Sequence, residues 1–203
     1  SQIGEFTGSV PRVRTYLHNK DLATYIDPTS FFDLPYQASW TNQVLSKTQS
    51  GAQLVKVLTE IYNDTAALSY LFLGTDNLEE IAYLISLTAP VNKSVILSGA
   101  MRSLGCQDYD GLENYSNSML IDPTLFRGIS GSWVCIAGSL FAGNQVRKSH
   151  SNKLTAFSSE DGPIAEICAG QNWKFCRPVV SNSQAYNLEN LNLELKIPIV
   201  TIE

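Results

Sequence analysis

The stretch from Leu68 to Arg102, LSYLFLGTDNLEEIAYLISLTAPVNKSVILSGAMR, constrains the fold of this chain more than any other. Its apolar run Leu68 to Leu73 stops at Gly74-Thr75-Asp76, and from Asn77 onward Leu78, Ile81, Ala82, Leu84 and Ile85 keep helical spacing. After Pro90 a second apolar run, Ser94 to Ser98, ends at Gly99-Ala100, with Arg102 just beyond. Parallel strands need a crossover of roughly a dozen residues or more, so strand, helix and strand at this spacing form one βαβ unit. Ligands of such sheets bind beyond the carboxyl ends of the strands, which is where Thr75, Asp76 and Arg102 fall.

The flanks extend this pattern. Leu54, Val57, Leu58 and Ile61 predict a helix over Gln53 to Tyr62, preceded by a short strand at Gln43 to Leu45. A further helix is expected over Asp110 to Leu120, ended by Asp122-Pro123, and a strand over Ser132 to Ala137. Gly138 to Ser151, which contains Lys148, reads as a polar loop, and Pro163 to Pro178 as a hairpin. Arg14 to Ile26 has weak helical periodicity that Pro28 would end. Asn-rich 181–195 reads as a linker, and Lys196 to Ile202 as a strand. The expected class is α/β: a mostly parallel, doubly wound sheet with a β-hairpin, in a domain over 1–180.

Composition removes several alternatives. A net charge of -5 without a Lys/Arg cluster does not suit a nucleic-acid partner, and no apolar run reaches the roughly 20 residues of a membrane-spanning helix. Cys106, Cys135, Cys168 and Cys176 form no CxxC pair and have no histidine at zinc spacing, so no metal site is expected. A cytoplasmic setting is the first expectation; secretion is the alternative if Cys168 and Cys176 bridge across their hairpin. The sequons at Asn63, Asn92 and Asn114 do not decide between them. His18 and His150 read as surface residues.

Two linked segments resemble a known family. GTDNLEEIAYLI is similar to the GTDTxEETAxFL segment of the bacterial-type L-asparaginases, and SVILSGAMR to the PVVLxGAMR segment that follows it there. Asp110-Gly111 with Asn114 resembles that family's ADGxxN, and Gln145 to His150 its lysine-bearing DVTKTxT. The likeness runs in order from about Ser46 to Pro178. It implies the N-terminal domain of the asparaginase fold, with 196–203 the first strand of a smaller C-terminal domain. It further implies an amidohydrolase acting on L-asparagine or L-glutamine, no cofactor, and a homo-oligomer with its active sites between subunits.

The same resemblance assigns roles. Thr75, Asp76 and Lys148 match the family's catalytic threonine, aspartate and lysine; Asp76 and Ser46 match the groups that bind the substrate's ammonium and carboxylate. The chemistry suits these residue types, because a threonine hydroxyl needs a base to become a nucleophile and a lysine can be that base once it has lost its proton. On the residues alone a second reading stands beside each. Thr75-Asp76 also suits a helix cap, Lys148 a solvated loop face with Arg147 and Lys153, and Asp110, Asn114 and Arg102 purely structural bonds.

Some family features are not found in these 203 residues. The TGGTI segment that carries the family's first, attacking threonine has only a degenerate echo in Thr7-Gly8-Ser9-Val10, so the first strand is expected to be missing. Leu73 stands where the family has histidine, Asn77 where it has the second threonine of GTDT, and Ser103 where it has proline. The expectation is therefore an asparaginase-like domain inactive as this chain, with a non-catalytic binding or assembly module as the alternative.

Overall fold

The computed structural model describes residues 13–17, 31–33, 48–102, 106–168 and 172–190. Ser46, the Gln43 to Leu45 strand, the Thr7 echo and the Lys196 to Ile202 strand lie outside them. In chain order the strands are β1 (Val13–Leu17), β2 (Phe31–Asp33), β3 (Leu68–Gly74), β4 (Ser94–Ala100), β5 (Gly131–Ile136), β6 (Ser139–Ala142), β7 (Arg147–Lys148), β8 (Phe157–Ser158), β9 (Ala165–Cys168) and β10 (Asn172–Phe175). The helices are α1 (Thr48–Asn63), α2 (Leu78–Thr88) and α3 (Gly111–Met119), with single 3-10 turns at Pro123–Phe126 and Leu188–Asn190.

The expected βαβ unit is present: β3 and β4 pair in parallel from Leu68 opposite Ser94 to Gly74 opposite Ala100, joined through α2. Among the described residues eight strands form one open sheet in the order β10-β9-β6-β5-β4-β3-β1-β2. From β2 through β5 every pairing is parallel; β6, β9 and β10 add an antiparallel region. The chain goes from β1 outward to β2 and then resumes at β3 on the other side of β1. That reversal makes the carboxyl ends of β1 and β3 a switch point, where a crevice opens in doubly wound sheets.

Alternate residues of the central strands serve two separate cores. Leu71, Leu73, Val95, Leu97, Val134 and Ile136 pack with Leu54, Leu58 and Ile61 of α1 and Leu78, Ile81 and Ile85 of α2. Tyr70, Phe72, Ile96, Trp133 and Cys135 face the other way, toward Tyr115 and Met119 of α3 and toward Phe126, whose ring meets that of Trp133 edge-on at 4.9 Å. Burial on both faces is why β3 and β4 read as unbroken apolar runs rather than as alternations.

Two expectations are corrected, and one alternative is not adopted. Val13–Leu17 is a strand, not part of a helix, and pairs along Leu68 to Phe72. The stretch after Ile136 is no plain loop: Ala137 (φ 49) and Gly138 (φ 71) make a two-residue turn of left-handed residues into β6. Cys168 and Cys176 are free thiols. The hairpin register sets Cys168 opposite Asn172, while Cys176 donates its N–H to Ile164, four positions farther along. That offset is about 13 Å of strand, well past the ~7 Å limit for a disulfide.

Residues 181–190 cross the amino end of the sheet. Asn182 bonds both the N–H and the C=O of Ser132 through its side-chain amide, and its own N–H donates to Ser130. Gln184 and Tyr186 donate to the last turn of α2, and Leu188 is buried among the α1 and α2 side chains.

Candidate active site

β3 ends at Gly74 and α2 begins at Leu78, so Thr75 and Asp76 occupy the turn at the carboxyl edge of the sheet. Thr75 is buried at 7% exposure; Asp76 stands open. The turn fits because its neighbour is a glycine. A Cβ on Gly99 would lie 2.3 Å from the Leu73 carbonyl oxygen and 3.2 Å from Thr75 Cγ2.

Lys148 reaches this turn from β7. Its Nζ lies 3.2 Å from Thr75 Oγ1 and 3.1 Å from Asp76 Oδ1, and its side chain is 13% exposed. The solvated-face geometry weighed for Lys148 is therefore not the one adopted. Nor is Asp76 a helix cap: the residue preceding α2 is Asn77, whose side chain makes no capping bond, and the Asp76 carboxylate turns to Lys148. Lys148 is thus within hydrogen-bond distance of both Thr75 and Asp76, and Ser46 lies outside the described residues.

Asp110, Asn114 and Arg102 build the wall behind them. The Asp110 carboxylate accepts from the backbone N–H groups of Met101 and Arg102, at 3.0 and 2.9 Å. The Asn114 amide donates to Asp110 and to the Gly99 carbonyl, and its oxygen accepts from the N–H of Ala137. One buried carboxylate–amide pair thus ties the carboxyl end of β4 to the β5–β6 turn. Arg102 points out, donating to Asp108 at 2.7 Å and to the carbonyl of Asn152. That bond holds the Asp108 carboxyl below its ordinary value. None of these three side chains is bonded to Thr75, Asp76 or Lys148.

Glu79, in the first turn of α2, also meets Lys148: its carboxylate accepts the backbone N–H of that residue. It is not among the residues expected at this cleft from the sequence. No group of histidine, cysteine and acidic side chains among the described residues could hold a metal ion, and no described helix is long and apolar enough to cross a membrane.

Comparison with known proteins bears on this arrangement. Residues 17–180 match the family described as Asparaginase, N-terminal. The glutaminase-asparaginase of Pseudomonas fluorescens biotype A is 30% identical over 105 residues, 52% of this chain and 29% of that protein. The L-asparaginase 2 of Escherichia coli K12 is 30% identical over 99 residues, 48% of this chain and 28% of its own length. The crystal structure of the probable cytoplasmic L-asparaginase from Campylobacter jejuni superposes with a TM-score of 0.71 at 21% identity, covering 89% of this chain and 62% of that one. The matched stretch spans under a third of these two relatives.

Proposed function

The chain belongs to the asparaginase family, and from that premise we propose that it is an amidohydrolase domain for L-asparagine, with L-glutamine the alternative substrate. The observation that carries this reading is the contact of Lys148 Nζ with both Thr75 Oγ1 and Asp76 Oδ1. In the proposed reaction a threonine oxygen bonds to the amide carbon and the C–N bond breaks. Lys148, in its uncharged form, takes the hydroxyl proton and passes it to the departing ammonia. Water then splits the acyl ester, releasing the acid and returning a proton to the threonine oxygen. Backbone N–H groups stabilise the charge on the carbonyl oxygen in both steps.

In this scheme exposed Asp76 pairs with the substrate's α-ammonium, which replaces Lys148 as its partner. Ser46 holds the α-carboxylate, no cofactor takes part, and the working unit is a homo-oligomer. The 203 residues contain no TGGTI segment, so on this reading the chain alone binds the amino acid without turning it over. Leu73, Asn77 and Ser103, in place of the family's histidine, threonine and proline, favour a second reading: a non-catalytic binding or assembly module.

An ammonia-release assay with L-asparagine tests the reading, with Thr75→Ala as control. No measurable ammonia is expected from the 203-residue chain. Turnover that disappears in Thr75→Ala would overturn that expectation and make Thr75 itself the attacking residue.

A further inference from the structure

Lys148 sits in a ladder of only two residue pairs, Arg147 opposite Ser158 and Lys148 opposite Phe157. The next N–H, that of Ser149, donates to the Ala156 carbonyl at 2.8 Å. Antiparallel pairs alternate between bonded and non-bonded, so the N–H of Lys148 must point away from β8. A backbone donor in a partly buried place needs an acceptor. The acceptor is the carboxylate of Glu79, 69 residues earlier in the chain.

Asp76 and Glu79 are three residues apart across the start of α2, and they hold the same lysine at its two ends. Asp76 takes the ammonium and Glu79 the main chain. The ladder has only two pairs; Val146 and Phe157 beside it are buried in the core, but Arg147 and Ser149 are exposed, and the outward side of the Lys148 backbone needs a fixed point of its own. A charge-assisted bond to the first turn of a packed helix supplies that fixed point, and the helix is anchored by Leu78, Ile81 and Ile85 in the core. Glu79 also benefits from its place, since a carboxylate in a helix's first turn is favoured by the helix dipole.

We propose that Glu79 is a positioning residue for Lys148: it accepts the lysine's backbone N–H and thereby sets the distance from Nζ to Thr75. The inference rests on the reading of Lys148 as the proton-handling group, but its test needs no turnover. The amide exchange of Lys148 and its side-chain Cε resonance are followed by NMR in the wild type, Glu79→Ala and Glu79→Gln, with Lys148→Arg for assignment and circular dichroism for the fold. In Glu79→Ala the Lys148 amide should exchange roughly tenfold faster or more, and its Cε signal should merge with those of solvated lysines. Glu79→Gln, which keeps an acceptor oxygen, should restore most of both. Unchanged exchange and an unmoved Cε signal in a folded Glu79→Ala would overturn the proposal. Equal losses in Glu79→Ala and Glu79→Gln would also overturn it, since they would mean that the acceptor oxygen is not what matters. Absence of ammonia release touches only the catalytic reading and leaves these two signals to decide the positioning role.

Discussion

Lys148 Nζ stands 3.2 Å from Thr75 Oγ1, although 73 residues separate the two in the chain. Threonine is delivered by the end of a buried parallel strand and lysine by a two-residue ladder outside the main sheet, so the contact depends on how those two elements are held.

Gly99 holds the threonine side. Any Cβ there meets the Leu73 carbonyl at 2.3 Å, and that is backbone, which cannot swing aside. Gly99→Ala should lower stability by about 2–3 kcal/mol and shift the Thr75 resonances, as measured by denaturant unfolding and NMR.

Asn114 holds the wall. Removing its amide leaves the Gly99 carbonyl and the Ala137 N–H without their partner, and Ala137 must keep a left-handed conformation without help. Asn114→Ala is expected to cost about 2–4 kcal/mol in denaturant unfolding, while a surface change such as Leu125→Ala costs under about 1.

The two sides differ in how plainly the sequence announces them. The β3–α2–β4 unit is legible because its apolar runs and the helical spacing from Leu78 to Ile85 are strong local signals, and Thr75, Asp76 and Lys148 are legible through motif likeness. β6 is not, because its turn is Ala137-Gly138 rather than a common hairpin pair, and what stabilises it is a side chain 23 residues upstream. β1 is obscured for a similar reason: VRTYL becomes a strand by pairing with Leu68 to Phe72, far along the chain. Glu79 was visible as a motif residue, but its partner is a backbone N–H, which no residue type reveals.

Lys93 offers a test at the opposite end of the sheet. It is buried, its Nζ donates to the carbonyls of Asp64 and Ala66, and burial lowers its pKa below the ordinary 10.5. Between the lowered value and 10.5 the unfolded chain binds a proton that the folded chain has lost, so stability should rise with pH in that window. Unfolding free energies measured between neutral pH and 10.5 should show that rise in the wild type and a flatter profile in Lys93→Met. Lys93→Met should also be less stable near neutral pH, by about 1–3 kcal/mol, because two carbonyls lose their donor.

Association follows from the proposed oligomer and from the position of β10, which among the described residues is the end strand of the sheet. Light scattering should give a dimer or larger species; a monomer at high protein concentration would count against it.

Binding of L-aspartate, the product of the proposed reaction, reads the Thr75–Asp76–Lys148 cluster without requiring turnover. Calorimetric titration of the 203-residue chain should give weak, saturable binding, with Kd on the order of millimolar, that is lost in Asp76→Ala. Binding that is absent from the folded wild-type chain, or that persists unchanged in Asp76→Ala, would contradict the account.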